Sequence, residues 1–236
     1  MSALAPIEYA DRGTALTGWL ARPAGPARAA ILVWPTIANV TPAIERRARM
    51  LADAGYVAMI GDFYGEPVAD FAASFPLAGA LRADVDHYRT RLLAGLAALR
   101  GLPEAAGLPA AAIGFCMGGQ AALELARLGA DLAFVASFHG VFETARPADP
   151  GAAHKPRVLV LHGDADPLAP RDKVIALWDE LDAAGFDWHF HAYAKVRHGF
   201  TDPGSDQRGM DALGYDASAD RQSWAALLRF AEETFG

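Results

Sequence analysis

Short, wholly apolar runs alternate along the chain with longer stretches in which apolar residues return every three or four positions. The runs AILVW (30–34), VAMIGD (57–62), AAIGF (111–115), LAFVASF (132–138) and RVLVLHG (157–163) lack polar alternation, the mark of strands covered on both faces. Segments 6–10 and 15–22 predict an antiparallel entry pair, and DWHFHAY (187–193) a further strand. Between them, Thr41 and Pro42 stand at N-cap and N1 of a helix whose Ile44, Ala48 and Leu51 share a face up to Gly55. Further helices are predicted up to about Leu99, directly after Cys116, over 171–184 and over 217–233. Alternating strands and crossover helices predict an α/β fold with a mostly parallel sheet. The stretch from Asp62 to Ala80, broken by Pro67 and Pro76, is too long for an ordinary connection and is expected to carry part of a pocket. No linker divides the chain, so residues 1–236 are expected to form one domain.

Composition narrows the function. A formal charge of −7 argues against nucleic acid, whose binding needs clustered Lys and Arg on phosphates. The apolar runs fall far short of the ~20 residues of a membrane-spanning helix, so no membrane partner is expected. Cys116 is the sole cysteine, which excludes an intramolecular disulfide, and the first residues carry neither a basic nor an apolar leader segment. A cytoplasmic location is the expectation.

The sharpest chemical signal is Gly114-Phe115-Cys116-Met117-Gly118, a glycine-x-nucleophile-x-glycine sequence between a predicted strand and a predicted helix. Chemistry at such a turn needs a strained nucleophile flanked by residues without Cβ, and the following helix N-terminus favours a thiolate. The Met117 amide then faces an oxyanion. The competing reading is a buried structural cysteine beside a glycine-rich turn. A nucleophile so placed is followed in sequence by an acid and then a histidine. Asp166 in His162-Gly163-Asp164-Ala165-Asp166-Pro167 is the preferred acid, with Asp164 the alternative, and His198 in Arg197-His198-Gly199-Phe200 is the general base. His189 and His191 alternate on one strand, but no third ligand at matching spacing accompanies them, so no metal is expected. His139, at a strand end, is expected either to border the pocket or to serve as a hydrogen-bonded loop residue.

GFCMGG, HGDADPLAP and RHGF, in that order, resemble the nucleophile, acid and histidine loops of the dienelactone hydrolase family, and LADAGYVAMIGDFYG (51–65) and GYDASADRQSW (214–224) are similar to it as well. The resemblance covers nearly the whole chain. It implies the α/β-hydrolase fold, a mostly parallel central sheet with helices on both faces, and a triad of Cys116, His198 and Asp166. It also implies a second oxyanion amide at Ile37, after the first buried strand. Thr36 stands where the family's characterised enzyme has a glutamate that helps generate the thiolate. Phe200-Thr201-Asp202 follows the histidine where that enzyme places an arginine for the substrate carboxylate, and Asp202 is expected to repel an anion. Arg82 matches a second substrate arginine, although a solvated arginine at a helix start is the simpler reading. Thr36, Tyr64, Arg82, His139 and Phe200 are the expected substrate-bordering residues, with Phe71, Phe75 and Leu77 as further apolar walls.

Together these features predict a hydrolase that cleaves a small ester or lactone through an acyl-thioester on Cys116, needing no cofactor or metal and working as a monomer or homodimer. The classical diene-lactone is not its expected substrate. The rival is a catalytically weak or inactive small-molecule-binding module of the same fold, motivated by the missing glutamate.

Overall fold

Eight strands and six α-helices follow one another in the computed structural model, which describes residues 4–236. The chain divides into two compact units, residues up to Ala112 and residues from Ile113 onward.

In the first unit, β1 (Ala5–Asp11) and β2 (Thr14–Ala21) form the expected antiparallel pair, with Tyr9 opposite Leu16. The apolar run Ala30–Trp34 is β3, buried at every position, and it lies parallel to β4 (Val57–Ile60). The strand order here is β1-β2-β4-β3. Between β3 and β4 runs α1 (Pro42–Asp53), where Thr41 accepts from the Ile44 amide and Pro42 needs no amide partner.

The broken stretch after Asp62 holds more order than its prolines suggest. Ser74–Ala83 is a helix, α2, in which Pro76 falls within the first turn, where a missing N–H costs nothing. No side chain caps α2, which removes the usual starting signal. Asp84 then ends α2 and caps α3 (Val85–Arg100), its carboxylate accepting from the Asp86 and His87 amides at 2.9 and 3.1 Å. The helix expected up to about Leu99 is α3, and α2 is an additional helix that begins inside the broken stretch.

The strand β5 (Ala110–Phe115) crosses the division and leads into the second unit, whose order is β5-β6-β7-β8, with β6 (Phe134–Phe138), β7 (Arg157–Gly163) and β8 (Trp188–Tyr193) mutually parallel. Its helices are α4 (Met117–Arg127), packed on β6, α5 (Arg171–Ala184), and α6 (Ala217–Phe235), packed on β6 and β7. At the end of α4, buried Arg127 joins Glu124 of the same helix at 2.9 Å, Glu180 of α5 at 2.8 Å and the Phe142 carbonyl at 2.8 Å. No helix among the described residues is long and apolar enough to cross a membrane.

Candidate active site

Cys116 sits between the end of β5 and the start of α4 with φ 58° and ψ −117°, a left-handed backbone that costs on the order of 1–3 kcal/mol in a residue with a Cβ. The strain is held in place by its neighbours. A Cβ on Gly114 would lie 1.8 Å from the Gly118 carbonyl oxygen, so this crossing of strand and helix admits only glycine. The Cys116 carbonyl accepts from the Gly119 and Gln120 amides at 2.9 and 3.2 Å, starting α4 at once. The thiol thus stands at the N-terminus of an 11-residue helix, where negative charge is favoured.

The two candidate aspartates have different partners. Asp166 is buried, and its Oδ2 lies 2.7 Å from His198 Nδ1 while Oδ1 accepts from the Leu168 amide at 2.8 Å. Asp164, two residues earlier, is taken by Arg171 in a two-pronged pair at 2.8 and 2.7 Å, which holds its carboxyl below the usual range. With Nδ1 bonded to the carboxylate, Nε2 is the nitrogen of His198 that faces away from Asp166. Burial opposes a charged imidazole, but the neighbouring Cys116 charge and the Asp166 carboxylate outweigh it and push the His198 pKa up to about 10. Nε2 is buried beside Cys116, close enough for the cysteine's charge to raise the His198 pKa.

The histidine loop is fastened on two sides. The His198 amide donates to the Ala212 carbonyl at 3.1 Å and its carbonyl accepts from Gly214 at 3.0 Å. Gly163, where β7 ends, passes so close to Val196 that a Cβ would fall 2.4 Å from its carbonyl oxygen.

The other sequence-derived candidates fare differently. His139 is buried, and both ring nitrogens are engaged within the protein: Nδ1 accepts from the Cys116 amide at 3.1 Å, and Nε2 lies 2.9 Å from Thr201 Oγ1. Phe200 is fully buried against His139 and Tyr193, so it is core packing beneath the histidine loop. Asp202 does not present a bare charge, because Arg208 pairs with it at 2.9 Å and the Gly204 amide donates to it. The expected repulsion of an anion is therefore offset, at a residue whose partner lies six positions away. His189 and His191 stand at exposed positions of β8, the former packed on Phe230, and no group of three potential metal ligands gathers among the described residues.

Within the first unit, Thr36 closes a turn, its carbonyl and hydroxyl accepting from the Asn39 and Ala38 amides. The Ile37 carbonyl accepts from the Tyr64 hydroxyl at 2.9 Å. Buried Asp62, which carried no sequence signal of its own, organises this loop by accepting from Asn39, Tyr64, Gly65 and Thr17. Arg82 lies in the last turn of α2, exposed, and donates to the Ala78 carbonyl of its own helix; it does not begin a helix. Tyr64 and Leu77 help line a cavity of about 200 Å³ with Phe63, Leu81, His87 and Arg91, while Phe71 and Phe75 pack edge to face on each other. A larger cavity of about 560 Å³ in the second unit lies between the 142–150 loop and α5, and Cys116, Asp166 and His198 take no part in its lining.

The model of the dienelactone hydrolase family matches residues 16–235. The chain belongs to that family. Among solved structures, a dienelactone hydrolase-like promiscuous phosphotriesterase, P91, from metagenomic libraries is 35% identical with a TM-score of 0.93, covering 99% of each chain. The dienelactone hydrolase of Anabaena variabilis, at 21% identity, shares the fold with a TM-score of 0.68 over 99% of this chain and 97% of its own. An uncharacterized protein of Caenorhabditis elegans is 36% identical over 148 residues, 62% of this chain and 94% of that one. The fold is thus that of the α/β hydrolases, and this member of the dienelactone hydrolase family is a hydrolase by family.

Proposed function

We propose that this hydrolase cleaves a small carboxylic ester or lactone, with Cys116 as nucleophile, His198 as proton carrier and Asp166 as the group that orients it. The observation that carries the reading is the buried 2.7 Å contact of Asp166 with His198 Nδ1, set beside a cysteine strained at a helix N-terminus. The elevated proton affinity of His198 in the presence of Cys116 charge is, by reciprocity, support for a thiolate–imidazolium pair at rest. In this reading the imidazolium of His198 supports the thiolate in place of a glutamate at position 36, where Thr36 closes a turn.

The Cys116 thiolate attacks the carbonyl carbon, and the electron pair moves to the oxygen, which the Met117 amide is placed to receive. As the tetrahedral intermediate collapses, the C–O bond breaks and the imidazolium of His198 gives its Nε2 proton to the departing alkoxide. An acyl thioester remains. His198, now neutral, takes a proton from water as its oxygen attacks the thioester, and release of the acid restores the thiolate and the imidazolium. Asp166 holds the tautomer through both transfers. Sulfur leaves a tetrahedral centre more readily than an amide nitrogen, which favours esters, lactones and thioesters over peptides.

The test is hydrolysis of short p-nitrophenyl esters by the wild type and by Cys116→Ala, with intact mass recorded in the first seconds. Turnover with a transient acyl adduct, both lost in the variant, is the expected result. Equal slow rates in both proteins would overturn the reading and favour a binding module of the same fold. Because P91 is a promiscuous phosphotriesterase, a p-nitrophenyl phosphotriester belongs in the same assay as a second electrophile.

A further inference from the structure

His139 is held by hydrogen bonds in an unusual position at the end of a strand. It follows directly on β6 with φ 38°, and its amide donates to the Leu161 carbonyl of β7 at 2.8 Å, so the sheet holds its backbone where few side chains are comfortable. The ring is turned inward and 1% exposed.

Its two nitrogens face groups of different character. The Cys116 amide, shared between the Phe138 carbonyl at 3.0 Å and His139 Nδ1 at 3.1 Å, can only donate, so Nδ1 carries no proton. In a neutral imidazole the proton then sits on Nε2, where it meets Thr201 Oγ1 at 2.9 Å. Thr201 belongs to the loop that carries His198, and the His139 and His198 rings meet edge to face at 5.1 Å. One side chain therefore ties the nucleophile's backbone to the histidine's loop and packs on the histidine itself.

We propose that His139 is a positioning residue that sets the alignment of Cys116 with His198, and that it does so only as the neutral tautomer with its proton on Nε2. The proposal rests on the pairing of Cys116 with His198 given above, though not on the identity of the substrate. Protonation of Nδ1 would set an N–H against the Cys116 N–H; truncation would leave the elbow and the histidine loop without their common contact. Either change loosens the thiolate–imidazolium pair without removing either reacting group.

Two measurements test it. In 15N-histidine spectra of the wild-type protein at pH 7, assigned by comparison with His139→Asn, His139 should show an unprotonated Nδ1 and a protonated Nε2; the opposite tautomer or a cation would overturn the proposal. The second measurement is the rate of Cys116 alkylation by iodoacetamide, read by intact mass from pH 6 to pH 10. His139→Ala should slow alkylation at pH 6 by about tenfold or more, as misalignment of a reacting pair typically does, and approach the wild-type rate at pH 10, where the thiol ionises unaided. His139→Asn should recover part of the loss at pH 6, falling between His139→Ala and wild type, because its Oδ1 replaces Nδ1 as acceptor and asparagine tolerates positive φ while the donor to Thr201 is still missing. Urea unfolding of each variant separates loss of fold from loss of alignment. Equal rates in wild type and His139→Ala at pH 6, or no recovery in His139→Asn at matched stability, would overturn the proposal. Alkylation needs no turnover, so failure of the ester reaction would strike the hydrolase reading and leave this test intact.

Discussion

Asp166 and His198, 32 residues apart in sequence, meet at 2.7 Å with both side chains almost wholly out of solvent. A carboxylate so placed fixes the tautomer of the imidazole and stabilises its charged form, which is worth far more to catalysis than a surface pair is to stability. Asp166→Asn should therefore reduce kcat for p-nitrophenyl esters on the order of 10⁴-fold, with the fold retained. Asp164→Asn removes only the solvent-facing pair with Arg171, and its kcat should stay within about twofold of wild type. Steady-state kinetics of the two variants side by side makes the comparison.

The sign of the His198 shift sets a pH expectation. Its pKa lies above the ordinary value of 6.5, chiefly because burial is outweighed by the Cys116 charge and then by Asp166. The imidazolium is thus complete below pH 6.5 and is lost only as pH rises through about 10. Removing the cysteine charge in Cys116→Ala should lower the His198 pKa, a change that NMR titration of the ring protons will register. A value unchanged in the variant would argue against the ion pair.

The reciprocal experiment removes the cation. His198→Asn should move the titration of Cys116 upward, whereas the wild type should remain open to iodoacetamide at lower pH. The alkylation midpoint, followed by intact mass, should move up by at least about one pH unit in the variant.

Arg127 presents the opposite balance, a buried ion network away from the chemistry. It satisfies Glu124, Glu180 and the Phe142 carbonyl, and Glu124 is 1% exposed. Arg127→Met should lower the unfolding free energy by about 3 kcal/mol or more, because it leaves a buried carboxylate without its cation. Urea denaturation measures the loss, and the relief expected from a second change, Glu124→Gln, distinguishes charge burial from lost packing.

At the elbow itself, Gly114→Ala forces a Cβ onto the Gly118 carbonyl. No flexible side chain can yield there, since the carbonyl is backbone and the position of a Cβ is fixed by the backbone that carries it. The variant should lose Cys116 reactivity and at least about 1–3 kcal/mol of stability, read by alkylation and by thermal melting.

Much of this protein was legible from local pattern. The unbroken apolar runs marked β3, β6 and β7, Thr41 and Pro42 marked the start of α1, and the glycines around Cys116 marked a tight turn, at which Gly114 leaves no room for a Cβ. Such signals survive in sequence because strand burial, helix capping and backbone strain act over a few neighbouring residues. The helix α2 escaped because it has no capping side chain and carries a proline in its first turn, so its order depends on what it packs against.

Sequence by itself determined the fold class, and it picked out Cys116, Asp166 and His198, in that order, as the residue types from which a triad could be built. The tertiary structure alone decided which aspartate meets His198, that Arg208 neutralises Asp202, and that His139 turns both nitrogens to the protein. Each of those is a partnership chosen by distance in space: Asp164 and Asp166 differ by two positions in sequence, yet one points to Arg171 in solvent and the other into the core beside the imidazole. Direction at that scale is set by how a loop leaves its strand and what it packs against, and no periodicity in the chain records it.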